Sequence, residues 1–253
     1  MSGVSVSRAG PILTLSLDNP PVNAISSLVL DGIEAAVERA RDDPAVRGLL
    51  VTGQEEIFAA GADLQSFLAQ GMTPEQAILR GVEVFARLRA LSKPVVAAIV
   101  GHCLGGGLEL ALAADLRVAD PDARFGQPEV QLGIVPGWNG TVWLPRLIGQ
   151  AWAAELILTA APIDGRRAYE IGLVNRLAPA SEVLETADNL LRELVARSPR
   201  AVAEAKVLIR RSYERGAEER ELEALRRLLA GPDAAEGLTA WMERRRPRFT
   251  DSE

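Results

Sequence analysis

Glu109 and Glu129 stand twenty residues apart, each beside backbone suited to close approach by a ligand. The first lies in Gly105-Gly106-Gly107-Leu108-Glu109 and the second in Phe125-Gly126-Gln127-Pro128-Glu129. Two carboxylates facing one small cavity cannot both ionise cheaply, so one pKa rises and the pair offers an acid and a base near neutral pH. A helix starting at the glycine cluster sets Gly106 and Glu109 on one face, three residues apart. The Gly106 N–H then belongs to the unpaired first turn, where the helix dipole adds positive charge and glycine leaves the approach open. A carbonyl oxygen held there is stabilised as it becomes an enolate. A third segment, Phe58-Ala59-Ala60-Gly61-Ala62-Asp63, has the form of a tight turn from a strand into a helix, with Asp63 as N-cap. Its Ala62 N–H is the candidate second donor of an oxyanion hole. Taken singly, each segment also has a plain structural reading, as a glycine-rich turn with a solvated glutamate or as a capped helix start.

The elements that must position these groups are legible in outline. Residues 12–17 alternate apolar and polar and read as a strand closed by Asn19-Pro20-Pro21. Residues 26–41 carry apolar side chains at helical spacing, with Ser26 or Ser27 as N-cap. Residues 48–52 form a short strand, a helix begins near Asp63, and a longer one covers 74–91. The β-branched run at 94–100 is typical of a buried strand. Residues 101–107 turn the chain, 108–114 continue as a helix, and 116–119 make another strand. Gly133, Pro136, Gly137 and Gly140 suggest a tight loop after Glu129. This rhythm implies an α/β core. Beyond residue 151 helical patterns dominate, at 150–159, 164–172, 181–197, 198–215, 218–230 and 233–244. The expected division is a core over 1–197 and a helical region over 198–253.

Composition excludes several classes. Aromatics are 4% and the net charge is −6, which argues against a nucleic-acid binder. Cys103 is the single cysteine, so no intrachain disulfide forms, and a reducing, cytoplasmic setting is expected. The first twenty residues lack a basic segment followed by a long apolar one, so no signal peptide is expected. The apolar stretch over 94–119 is broken by His102, three glycines, Glu109 and Asp115, so it reads as a strand and helix and not as a membrane span. His102 is the sole histidine, so no histidine or cysteine cluster offers a metal site; beside Cys103 it reads as a packing pair in preference to a catalytic dyad, which argues against Ser-His-Asp and Cys-His hydrolases. Neither a phosphate-binding GxxxxGK[ST] loop nor a dinucleotide GxGxxG turn is present. The run Glu243-Arg244-Arg245-Arg246-Pro247-Arg248 is the one dense basic cluster, either a solvated helix end or a phosphate contact.

In combination the segments resemble the crotonase family, the enoyl-CoA hydratases and isomerases. The resemblance runs in order through Leu17-Asp18-Asn19-Pro20-Pro21-Val22-Asn23-Ala24, residues 58–64, Lys93-Pro94-Val95 and residues 105–112. It continues through residues 125–140, Ala168-Tyr169-Glu170-Ile171-Gly172-Leu173-Val174 and residues 243–249. It implies a spiral of ββα units with a helical C-terminal region used in trimerisation, and trimers often paired into hexamers. It implies an acyl-CoA thioester ligand, with coenzyme A carried on the substrate and no separate cofactor. Ala62 and Gly106 match the oxyanion donors. Glu109 matches the glutamate that orients and deprotonates water for attack at C3, and Glu129 the one that exchanges the proton at C2. Ala24, Ala60, Asp63, Leu64, Leu104, Pro128 and Gly137 match segments lining the substrate path, and Arg246 lies in the segment that reaches a CoA phosphate.

The implied activity is hydration of a 2-enoyl-CoA, because both glutamates are present. A Δ3-Δ2 enoyl-CoA isomerase using Glu129 alone, a decarboxylase or thioester hydrolase, and a non-catalytic CoA-binding scaffold are the alternatives. Three positions depart from the family pattern. The usual Pro-Gly-x-Gly-Gly loop is Pro136-Gly137-Trp138-Asn139-Gly140, Glu56 stands where many relatives carry lysine, and Val100-Gly101-His102 replaces a common Asn-Gly-Tyr.

Overall fold

The computed structural model describes residues 3–54 and 56–249. Residues 1–2, part of the segment read for a signal peptide, and the ends of both expected regions lie outside the described residues. The chain runs β1 (Val4–Ala9), β2 (Ile12–Leu17), α1 (Ser27–Asp42), β3 (Gly48–Thr52), β4 (Ile57–Ala59), α2 (Leu64–Ala69) and α3 (Pro74–Ala90). It continues through β5 (Val95–Ile99), β6 (His102–Leu104), α4 (Gly106–Ala113), β7 (Leu116–Ala119), β8 (Arg124–Gly126), a 3-10 turn at Glu129–Leu132, α5 (Gly140–Ile148) and α6 (Gln150–Thr159). It ends with β9 (Ile163–Asp164), α7 (Gly165–Glu170), β10 (Arg176–Leu177), α8 (Val183–Val195), α9 (Pro199–Arg210), α10 (Ala217–Leu229) and α11 (Pro232–Met242).

A six-stranded sheet has the order β1-β2-β3-β5-β7-β10, and a four-stranded sheet the order β4-β6-β8-β9. Pairing is parallel except at β1–β2 and β8–β9. Three times the chain crosses the large sheet, adds a short strand to the small one and then turns into helix. These are the ββα units of a spiral.

Strand β5 shows why the sequence lies this way. All five of its residues are buried, because both faces of a parallel strand are covered. Val95, Ala97 and Ile99 face the core shared with α1, α3 and α4, and Val96 and Ala98 face the layer under α8. Its helical neighbours are fixed at their starts. Ser26 caps α1 by accepting the Val29 N–H, and Thr73 and Gln76 form a reciprocal capping box on α3.

The short elements depart from the sequence reading. Residues 101–107 are not only a turn: they hold β6, paired to β4 and β8. The loop after Glu129 ends at Asn139, and a nine-residue helix, α5, follows. Strand β1 was not expected, since Val4 is its one buried residue and it shows no apolar face. The helix expected over 198–215 stops at Arg210. His102 is exposed, whereas Cys103 is buried with its Sγ–H directed to the Gly107 carbonyl at 3.5 Å, so the two are not a packing pair. Alternation along β6 sends them to opposite sides. Among the described residues no helix is long and apolar enough to cross a membrane.

Candidate active site

The site forms where β4 and β6 leave the small sheet. Gly105 follows β6 with φ 52° and ψ −125°, backbone that side-chained residues rarely adopt. Its N–H donates to the Gly126 carbonyl at 2.9 Å. A Cβ there would fall 2.7 Å from Glu129 Oε1, so the glycine gives both the turn and the space for the carboxylate. Helix α4 begins at Gly106, and every residue in it is buried.

Ala62 is pinned on both sides. Ile25 N–H donates to the Gly61 carbonyl at 2.8 Å, and Asp63 N–H to the Ile25 carbonyl at 3.0 Å. Asp63 caps α2 by accepting the Ser66 N–H at 3.0 Å, which confirms the cap expected there. A Cβ on Gly106 would lie 3.4 Å from the Ala62 nitrogen, so the two backbones converge. Among the described residues neither the Ala62 nor the Gly106 N–H has a hydrogen-bond acceptor. Two converging unpaired donors, one at a helix N-terminus, suit a carbonyl oxygen that gains negative charge.

Glu109 is 2% exposed. Its Oε1 accepts the N–H groups of Trp138 and Gly140, each at 2.7 Å, at the start of α5. Burial pushes its pKa up to about 7, and the neighbouring Glu129 charge adds to the rise, against the two N–H bonds that favour the anion. Burial also raises Glu129 above the ordinary carboxylate value. Gln127 is fully buried beside the pair. Its amide is assigned with the nitrogen toward Glu129, donating to Oε2 at 3.0 Å and Oε1 at 3.1 Å, since the opposite orientation sets oxygen against oxygen. Sequence reasoning missed Gln127, although it stands in the quoted Phe125–Glu129 segment.

The other expected positions fall into two groups. Ala60 N–H donates to the Val22 carbonyl at 3.1 Å, and the Ala24 carbonyl accepts from Asn19 at 2.7 Å, which brings both segments beside Ala62. Leu64 opens α2 with its side chain exposed, Leu104 ends β6, Pro128 precedes Glu129, and Gly137 lies against Ile78 of α3. Arg246 does not join them. Its segment folds back on α11, where Arg245 pairs with Glu236 at 2.7 Å, and among the described residues no hydrogen bond or ion pair links Arg246 to Ala24, Ala60 or Asp63. Asn139 takes the left-handed conformation, φ 80°, at the place where the family motif has glycine. Asparagine tolerates that conformation better than most residues, so the loop keeps its path.

The chain matches the sequence pattern of the Enoyl-CoA hydratase/isomerase family over residues 7–252. This protein belongs to that family. It is 37% identical to a probable enoyl-CoA hydratase of Bacillus subtilis (strain 168), with 98% of this chain and 99% of that one covered. It is 35% identical to a short-chain-enoyl-CoA hydratase of Clostridium acetobutylicum, with 97% of each covered. The crystal structure of an enoyl-CoA hydratase from Bacillus anthracis superposes with a TM-score of 0.92 at 33% identity, covering 99% of this chain and 100% of that one. The spiral of ββα units is thus the enoyl-CoA hydratase/isomerase fold, and the carboxylates and converging N–H groups lie within its matched region.

Proposed function

We infer that this protein catalyses the reversible addition of water to a 2-enoyl-CoA, giving a 3-hydroxyacyl-CoA. The observation that carries this reading is the meeting of two cation-free glutamates, Glu109 buried and Glu129 half-buried, with two unpaired, converging N–H groups. The thioester oxygen accepts from Ala62 and Gly106, which withdraws electron density from C3. Glu109, held by two backbone N–H groups, accepts a proton from water as the oxygen bonds to C3. Glu129 delivers a proton to C2 as the enolate collapses. The proton gained at Glu109 then returns to Glu129 through exchange with solvent. Burial pushes Glu109 up to about 7, so its ionised and protonated forms are both populated near neutral pH, and burial also raises Glu129 above the ordinary carboxylate value.

Coenzyme A enters as the carrier of the substrate, with no separate cofactor required. The segments at Ala24, Ala60, Asp63 and Leu64 are assigned to its path, with Leu104, Pro128 and Gly137 toward the acyl group. The assembly is proposed to be a trimer or a pair of trimers, because Leu222, Leu225, Leu229, Leu238, Trp241 and Met242 leave apolar surface exposed on α10 and α11. In that assembly the Arg246 side chain is assigned to a CoA phosphate. A cytoplasmic setting fits the free, buried thiol of Cys103.

Turnover in deuterium oxide tests the reaction. Hydration gives a 3-hydroxyacyl-CoA labelled at C2 and unlabelled at C4. Label at C4, with no hydroxylated product, would replace hydration by double-bond migration.

A further inference from the structure

Trp138 sits in the motif loop, and its indole is packed, not free: it is 4% exposed. The ring meets Phe85 of α3 edge-on at 5.3 Å and Phe67 of α2 at 6.3 Å between centroids. Helix α3 is notched to receive it, since a Cβ on Gly81 would fall 2.2 Å from both Nε1 and Cε2. At the other edge, Cζ3 and Cε3 lie 2.5 and 2.7 Å from where a Cβ on Gly106 would stand. The indole therefore spans the gap from the oxyanion glycine to α3, on the side of Glu109 where the Trp138 N–H is bound. A rigid ring held by two aromatic side chains and a notched helix has little room to swing aside in a close-packed interior.

A thioester oxygen seated on Ala62 and Gly106 presents C2 and C3 to the two glutamates. A chain that continues past C3 toward α2 and α3 runs into the indole. We propose that the Trp138 side chain closes the acyl pocket and sets the specificity of this protein for short 2-enoyl thioesters, crotonoyl over octenoyl. This rests on the hydratase reading of the same site. Gly81 acts with Trp138 as a positioning residue, because the notch fixes how far the ring reaches.

The test is kcat/KM for crotonoyl-CoA and trans-2-octenoyl-CoA in the wild type, Trp138→Ala, Trp138→Phe and Gly81→Ala. One methylene in an apolar pocket is worth about 10–200-fold in discrimination. The wild type should therefore favour crotonoyl-CoA by about 100-fold or more. Trp138→Ala should shift the ratio toward octenoyl-CoA by at least about 10-fold, and Trp138→Phe by less. An octenoyl-CoA rate equal to the crotonoyl-CoA rate in the wild type would overturn the proposal. So would an unchanged ratio in Trp138→Ala and Trp138→Phe proteins that melt cooperatively. If neither thioester is hydrated by the wild type, the hydratase reading fails by itself. Calorimetric affinities for butyryl-CoA and octanoyl-CoA then decide the pocket: weak octanoyl-CoA binding relieved in Trp138→Ala supports closure, and equal wild-type affinities refute it.

Discussion

Helix α4 has a carboxylate at each end, Glu109 buried and Asp115 half-buried, and the two are treated in opposite ways. Asp115, two residues past the end of α4, accepts from Lys206 at 2.5 Å, from Arg210 at 2.7 Å and from the Val95 N–H at 2.8 Å. Glu109, in the first turn, accepts two backbone N–H groups and meets no cation. The paired carboxylate ties α9 to the core. The unpaired one is pushed up to about 7 by burial and can exchange its proton near neutral pH. A countercharge makes a carboxylate a structural anchor, whereas burial without one raises its pKa, and a neighbouring carboxylate strengthens the rise.

That contrast predicts a crossed pattern of mutational effects. Glu109→Gln and Glu129→Gln should each lower kcat by about 10²–10⁴, the range for loss of general acid–base catalysis, with cooperative unfolding retained. Asp115→Ala should do the reverse. It leaves the buried Lys206 and the half-buried Arg210 without their partner, a loss of about 3–5 kcal/mol in denaturant titration, while the folded fraction keeps its turnover number. The burial that pulls Lys206 down to about 8 shows how much that ammonium depends on its neighbour, since Asp115 acts to raise it.

Gly106→Ala should follow, with a loss of about 10²–10³ in kcat, the usual effect of losing one oxyanion donor. The new Cβ would meet the Trp138 ring at 2.5 Å and stand 3.4 Å from the Ala62 nitrogen, obstructing the hole from within. An unaltered kcat would remove Gly106 from the reaction.

The smallest effect is a pH dependence of stability. Glu109 has a folded pKa near 7 against 4.5 when unfolded. Between those values the folded state holds the proton more tightly, so this group's contribution is intact below pH 4.5 and is lost as pH rises toward 7. The loss is about 3 kcal/mol from a shift of this size. Glu109→Gln removes it, so the variant should be more stable than the wild type above pH 7 and level with it below pH 4.5. Parallel melting curves for the two proteins across that range would contradict the raised pKa.

Much of this was legible in the sequence, and the rest was hidden for identifiable reasons. Ser26 and Asp63 mark helix starts because caps are local, and residues 94–100 read as a buried strand because of their β-branched run. The glycines at 105–107 and the turn at 60–63 pointed to the paired donors. The three-residue strands β4, β6 and β8 were hard to see because they are too short to show a period. Helix α5 was masked by glycine and proline at its entrance. Asp115 read as a break in an apolar run, since its partners Lys206 and Arg210 lie more than ninety residues on. The direction of the Trp138 indole depends on a notch at Gly81 in another helix, which no local pattern reports.

The most direct measurement is the loss of conjugated-thioester absorbance of crotonoyl-CoA with the wild type, Glu109→Gln and Glu129→Gln at pH 7. Rapid loss in the wild type, abolished by either substitution in a folded protein, is the predicted result. Rapid loss that survives either substitution would contradict the claim that these two cation-free carboxylates carry the proton transfers.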